Sequence, residues 1–166
     1  FIFSNPVNTL NFDKFDAKPV FIHSVTETLL QLKLPVNVGR LNAWPGFLQR
    51  TIWEVATNNQ KNIQNIFDFL NQKIIIVKDE PGLVSARVIS MIINEAYFAL
   101  NEKVSTKEEI DLAMKTGTNY PFGPFEWAEK IGIKNVYRLL EKLSEKEDRY
   151  EPAASLKRLF AEKNEH

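Results

Sequence analysis

The 166 residues, 44% of them apolar and including three tryptophans and twelve phenylalanines, are ample for a packed core and fit one ordinary domain or two small ones. Equal numbers of basic and acidic side chains, 21 of each, argue against the broad positive field that nucleic-acid binding requires, and the neutrality mildly favours self-association. With no cysteine and only two histidines, His23 and His166, disulfides, thiol catalysis and thiolate metal sites are excluded, and a histidine-based metal site is not expected.

No apolar stretch reaches the roughly 18 residues of a membrane span. No secretory signal is legible either, so the expectation is a cytoplasmic protein without a membrane partner. The opening Phe1-Ile2-Phe3-Ser4-Asn5-Pro6 lacks an initiator methionine and reads as the second half of a strand meeting a turn, so residues upstream of it are expected.

Residues 1–80 alternate short β-prone runs with turn signals. Phe1–Phe3, Pro19–His23, Val36–Leu41, Thr51–Val55 and Lys73–Val77 are the candidate strands. Between the last two, Asn59 to Asn71 carries Ile63, Ile66, Phe67 and Leu70 at the spacing of one helical face. This predicts a strand–helix–strand unit whose final run, Ile74–Val77, suits a strand covered on both faces of a parallel sheet.

Beyond Pro81 the period becomes helical. Val84, Val88, Met91, Ile92, Glu95, Ala96 and Ala99 mark one stripe of a helix from about Gly82 to Leu100, with Pro81 as a first-turn residue. Ser105-Thr106-Lys107-Glu108 has capping-box form, with the serine as cap and Glu108 three positions on, and Ile110, Ala113 and Met114 supply that helix's apolar side. Gly117 is placed to close it, and Pro124 to start another over Phe125–Lys130. Val136, Leu139, Leu140 and Leu143 stripe the next helix, Ser144–Arg149 reads as an exposed connection, and a final helix runs through Ser155–Phe160. The shift in composition predicts two domains, 1–80 and 81–166.

Several segments of this pattern resemble one enzyme family. Val77-Lys78-Asp79-Glu80-Pro81-Gly82-Leu83-Val84 resembles the junction between the nucleotide-binding and helical domains of 3-hydroxyacyl-CoA dehydrogenases. Glu109–Lys115 followed by Gly117-Thr118-Asn119-Tyr120-Pro121-Phe122-Gly123-Pro124-Phe125-Glu126 is similar to the hallmark of the helical domain, and Tyr150-Glu151-Pro152 with Ser155-Leu156-Lys157 to its next stretch. Upstream, Ser24–Leu29 resembles the family's serine/threonine loop, and Asn42–Gly46 with Trp53–Val55 its histidine loop and glutamate strand. The resemblance implies an α/β plus all-α protein: the C-terminal portion of a Rossmann-like parallel sheet, followed by the family's helical domain. It also implies NAD-dependent oxidoreduction of a 3-hydroxyacyl-CoA, an acyl-CoA ligand and a homodimer formed through the helical domain.

In the family a histidine removes the hydroxyl proton, a glutamate orients that histidine, and serine and asparagine hold the substrate oxygen. By the resemblance, Glu54 occupies the glutamate position. Asn42 occupies that of the histidine, where an amide has no useful basicity. Glu27 falls on the serine, where a carboxylate repels a developing alkoxide, and Ala86 falls on the asparagine. The expected catalytic positions are therefore Glu54 and Asn42, with activity impaired; a non-catalytic acyl-CoA-binding or dimerisation module is the alternative.

A dinucleotide site needs a Gly-x-Gly-x-x-Gly turn, and the six glycines do not form one, so no NAD-binding residue is named. His23 is expected to be a structural histidine rather than a relocated base. Tyr120, Phe122, Trp127 and Tyr137 are expected to be mainly core rather than an acyl channel. Lys73, Lys78, Arg87 and Lys115 are candidates for coenzyme A phosphates, with no clustering to favour any of them.

Overall fold

A computed structural model of the chain describes residues 11–15, 18–61 and 63–162. It divides into two compact units, Phe1–Ala86 and Arg87–His166, against an expected boundary near residue 80. The expected strand at Phe1–Phe3 lies outside the described residues.

Among the described residues the first unit is built on a four-stranded sheet in the order β1 (Val20–His23), β2 (Val38–Leu41), β3 (Ile52–Thr57), β4 (Lys73–Ile76). β1 and β2 are parallel, as are β3 and β4, with helix α1 (Ile63–Phe69) crossing between the latter pair. The α/β class and the strand–helix–strand unit read from sequence stand. The sheet is nevertheless mixed, because β2 and β3 pair antiparallel. Ten residues separate Leu41 from Ile52, fewer than the dozen or so a parallel crossover needs.

The sheet is covered on both sides near β1 and β2. Val20, Ile22, Leu29 and Val38 form one apolar cluster, and Phe21, Leu41, Val55, Ile63 and Phe67 form another. Gly39 is needed where it lies: an added Cβ would come within 2.9 Å of the Phe21 ring, which itself packs edge-on to Phe67 at 4.9 Å. β4 departs from expectation. Among the described residues it is an edge strand paired with β3 alone, and Ile75 and Ile76 are 47% and 40% exposed. α1 is shorter than expected, and Leu70 falls beyond its end, exposed.

The second unit is helical. α2 (Ser85–Asn101) runs across the boundary between the units, followed by α3 (Lys107–Thr118), α4 (Pro124–Ile131), α5 (Ile133–Ser144) and α6 (Ala154–Glu162). α5 packs against α4 and α6, and its expected stripe of Val136, Leu139, Leu140 and Leu143 is buried in full. Asn94, 1% exposed, joins α2 to the approach to α6, donating to the Glu151 carbonyl and accepting from the Ala153 amide at 2.9 and 2.8 Å.

Three helix details correct the sequence reading. α2 starts at Ser85 rather than Gly82, because Gly82 and Leu83 take φ of 83° and 50°, which a right-handed helix does not allow. Its buried face carries Ile89, Ser90, Ile93, Asn94 and Tyr97, whereas Val84 and Val88 of the expected stripe are half exposed. The cap of α3 is Thr106, paired with Glu109, one residue after the expected Ser105 and Glu108. That helix closes on Asn119 in the left-handed conformation (φ 55°), and Gly117 lies within the helix.

Candidate functional site

In the first unit the residues singled out by resemblance converge on the segment that leads into α2. Glu54 projects from β3, and its carboxylate accepts from the Val84 amide at 3.0 Å and the Ser85 amide at 2.9 and 3.0 Å. First-turn amides have no partner inside the helix, and an anion there complements the helix dipole. The positive φ of Gly82 and Leu83 turns the chain so that both amides meet one side chain.

Asn42 follows β2 and is 5% exposed. Its Oδ1 accepts from the Trp44 amide at 3.0 Å, and its Nδ2 donates to Ser85 Oγ at 3.3 Å. The side chain thus acts as an orienting amide at both ends. Ala86, wholly buried, offers only a methyl group, and Glu27 contributes its backbone carbonyl to Ser24 Oγ.

His23 ends β1 beside this cluster in sequence register with Leu41. Its Nδ1 accepts from the Ala43 amide at 3.1 Å, which in the neutral ring puts the hydrogen on Nε2 and leaves no free lone pair. Burial lowers its pKa below the usual histidine value, and a hydrogen bond to the Leu41 backbone opposes that shift. Among the described residues no hydrogen bond or ion pair joins His23 to Glu54. The reading of His23 as structural fits this geometry.

Arg40 carries no signal of its role in the sequence. Its side chain, wholly buried on β2, pairs through Nε with Asp79 Oδ1 at 2.5 Å and donates to the carbonyls of Ser24 (3.0 Å), Val25 (3.4 Å) and Glu80 (2.5 Å). Burial lowers the guanidinium pKa, and Asp79 and then Glu80 oppose it. An arginine between Gly39 and Leu41 reads as the outward residue of an alternating strand. Its partner lies 39 residues away, beyond any local pattern. Ser85 likewise belongs to no motif that would mark it.

Other candidates separate. Trp127 is buried edge-on to Phe122 at 4.9 Å, Tyr137 stacks on Phe160 at 4.0 Å, and Tyr120 is 38% exposed. Lys115 pairs with Glu126 at 2.5 Å, and Arg87 lies over the Tyr150 ring at 5.8 Å. Among the described residues no group of three metal-ligating side chains occurs, and no helix is long and apolar enough to cross a membrane.

The family model for the 3-hydroxyacyl-CoA dehydrogenase C-terminal domain matches residues 82–165, just over half of the chain. The chain is 37% identical over 112 residues to the 3-hydroxyadipyl-CoA dehydrogenase of Escherichia coli K12, covering 64% of this chain and 24% of that protein. It is 30% identical over 165 residues to the human mitochondrial hydroxyacyl-coenzyme A dehydrogenase, covering 90% and 52%. Among solved structures, the 3-hydroxybutyryl-CoA dehydrogenase of E. coli K12 superposes with a TM-score of 0.71 at 29% identity, over 85% of this chain and 31% of that one. The (S)-3-hydroxybutyryl-CoA dehydrogenase of Ralstonia eutropha shares the fold, with a TM-score of 0.76 at 24% identity over 86% and 55%. The chain spans about a quarter to a half of the length of the curated relatives named here.

Proposed function

The chain belongs to the 3-hydroxyacyl-CoA dehydrogenase family through its C-terminal domain, and from that premise we propose a 3-hydroxyacyl-CoA dehydrogenase-like protein that binds an acyl-CoA but is impaired in NAD-dependent oxidoreduction. Oxidising a 3-hydroxyl group requires a base for its proton as hydride leaves the carbon. The observation that carries the proposal is the use already made of each polar group at the cluster. Asn42 is an amide with both ends engaged, Glu54 is held by two backbone amides, and His23 spends its Nδ1 lone pair on Ala43.

NAD is the cofactor the family implies. The glycines of this chain do not fit a dinucleotide turn: Gly82, for instance, has no further glycine until Gly117. The substrate class rests on family membership together with relatives named for hydroxyadipyl-, hydroxyacyl- and hydroxybutyryl-CoA. A cytoplasmic location and a homodimer complete the proposal.

The alternative, a non-catalytic acyl-CoA-binding or dimerisation module, draws support from the helical unit. A largely apolar hollow of ≈ 240 Å³, lined by Ile92, Ala96, Ala99, Ile110, Met114 and Pro124 together with Glu95, lies in this unit, and Val88 and Leu112 are 51% and 59% exposed. Two measurements on the intact gene product decide between the readings. Following NADH absorbance with acetoacetyl-CoA across a range of pH is expected to give at most slight turnover above a buffer control; robust turnover would overturn the claim of impairment. Calorimetric titration with acetoacetyl-CoA is expected to show binding, and a flat titration with a stable dimer in sedimentation would leave the scaffold reading.

A further inference from the structure

Arg40 has no place in the chemistry outlined above, yet it is among the largest fully buried side chains of the molecule. It bonds two stretches of chain remote from its own strand. Through Nη1 it holds the Ser24 and Val25 carbonyls after β1, and through Nε and Nη2 it holds Asp79 and the Glu80 carbonyl before α2. The two stretches also hold each other: Asp79 Oδ2 accepts from the Leu29 amide at 2.9 Å, and the Gly82 amide donates to the Val25 carbonyl at 2.8 Å. The planar fork of a guanidinium suits such a junction, since its donors leave in fixed directions.

Three residues separate Glu80, the last residue Arg40 grips, from Val84, the first whose amide Glu54 receives. The intervening Gly82 and Leu83 are in positive-φ conformations, and for leucine that costs free energy unless the surroundings enforce it. The Leu83 amide returns to the Glu80 carbonyl at 3.0 Å, so the same carbonyl serves Arg40 and the turn. Arg40 and Asn42 are also two apart, the spacing of one face of an extended chain. Arg40 reaches Asp79 and Glu80, and Asn42 reaches Ser85.

We propose that Arg40 is a positioning residue: by clamping residues 79–82 to the 24–29 loop, it fixes the Val84 and Ser85 amides on Glu54 and the Ser85 hydroxyl on Asn42. It touches none of the reacting groups. It acts through the turn at Gly82 and Leu83, whose strained geometry relaxes when the clamp is removed. The ligand-binding consequence rests on the proposed acyl-CoA function; the backbone consequence does not.

The test uses the full chain in three forms: wild type, R40K and R40M/D79N. The double variant removes both charges and keeps an acceptor for the Leu29 amide, because replacing a buried ion pair with neutral groups is tolerated far better than removing one partner. R40K keeps the charge but loses the fork, and it carries the test if the double variant fails to fold. Amide hydrogen exchange is read at Val84 and Ser85, with Ile22 and Val55 as reporters of the whole sheet. Exchange at Val84 and Ser85 is expected to rise at least about tenfold relative to those reporters, as a local opening rather than a global one.

Acetoacetyl-CoA affinity is expected to fall about tenfold in parallel, since small displacements of a binding group carry costs of that order or more. Unchanged exchange at Val84 and Ser85, or an increase shared equally by Ile22 and Val55, would overturn the proposal and leave Arg40 a stability residue. Absence of acetoacetyl-CoA binding by the wild type would overturn the functional reading instead, and the exchange data would still decide whether Arg40 positions the turn.

Discussion

Each unit of this chain starts a helix on a borrowed carboxylate, and the two cases mean different things. In the sheet unit, Glu54 of β3 receives the Val84 and Ser85 amides at the head of α2. In the helical unit, Asp111 of α3 receives the Phe125 and Glu126 amides at the head of α4, at 2.8 and 3.1 Å. The bond chemistry is the same. The surroundings differ. Asp111 is 8% exposed and lies against Gly123, where an added Cβ would collide with its carboxyl group. Glu54 is half buried and has two further polar side chains beside it, Ser85 and Asn42, which bond to each other. A carboxylate on a helix start is therefore no catalytic signature alone, since the same arrangement serves as a buried cap at the head of α4.

The contrast breaks if the two carboxylates are energetically alike. Gly123→Ala is expected to have the largest effect, about 3 kcal/mol, because the methyl group must displace a buried capping carboxylate. Urea unfolding followed through the protection of the Leu139 and Leu140 amides in α5 would read it. Asp111→Ala is expected to cost about 2 kcal/mol in the same assay, through one buried and one partly buried amide left without an acceptor. Glu54→Ala, read through Ile22 and Val55 in the sheet, is expected to cost only about 1 kcal/mol, since water can reach a half-buried helix start. A larger loss for Glu54→Ala than for Asp111→Ala would make Glu54 the structural cap and remove the contrast.

Much of the fold is legible in the sequence because periodicity is local. The β3–α1–β4 unit and the α5 stripe follow from spacing within a single element. The faults have equally local causes. Ser105 with Glu108 and Thr106 with Glu109 both satisfy the capping-box spacing, and one residue of offset decides between them. α2 carries apolar residues on more than one side, so the stripe through Val84 and Val88 is as regular as the buried one through Ile89 and Ile93. At the candidate site, Glu54 and Asn42 do converge on the same serine. That serine, and the Arg40 clamp behind it, depend on pairings across 31 to 43 residues, which no pattern in a single sequence announces.

The smallest expected effect concerns His23 and separates a structural histidine from a working one. Burial depresses its pKa in the folded state, so between the folded value and the unfolded value near 6.5 the unfolded chain binds a proton that the folded chain does not. Stability from this residue is thus fully present above about pH 6.5 and falls as pH drops toward the folded pKa. His23→Asn removes the titration while leaving an acceptor for the Ala43 amide. The expected outcome is that the variant loses less stability than the wild type between about pH 7.5 and about pH 5.5. The difference has a ceiling of about 1.4 kcal/mol over this window, the equivalent of a tenfold change in proton affinity, and is expected to be a fraction of it. His166 is common to both forms and cancels in the difference. A base that gains a proton during turnover would instead have its charged form supported by an acidic partner, and its folded pKa would rise. Should the wild type hold its stability better than His23→Asn as the pH falls, His23 would be a protonatable site group, and the case for impaired chemistry at this cluster would have to be reopened.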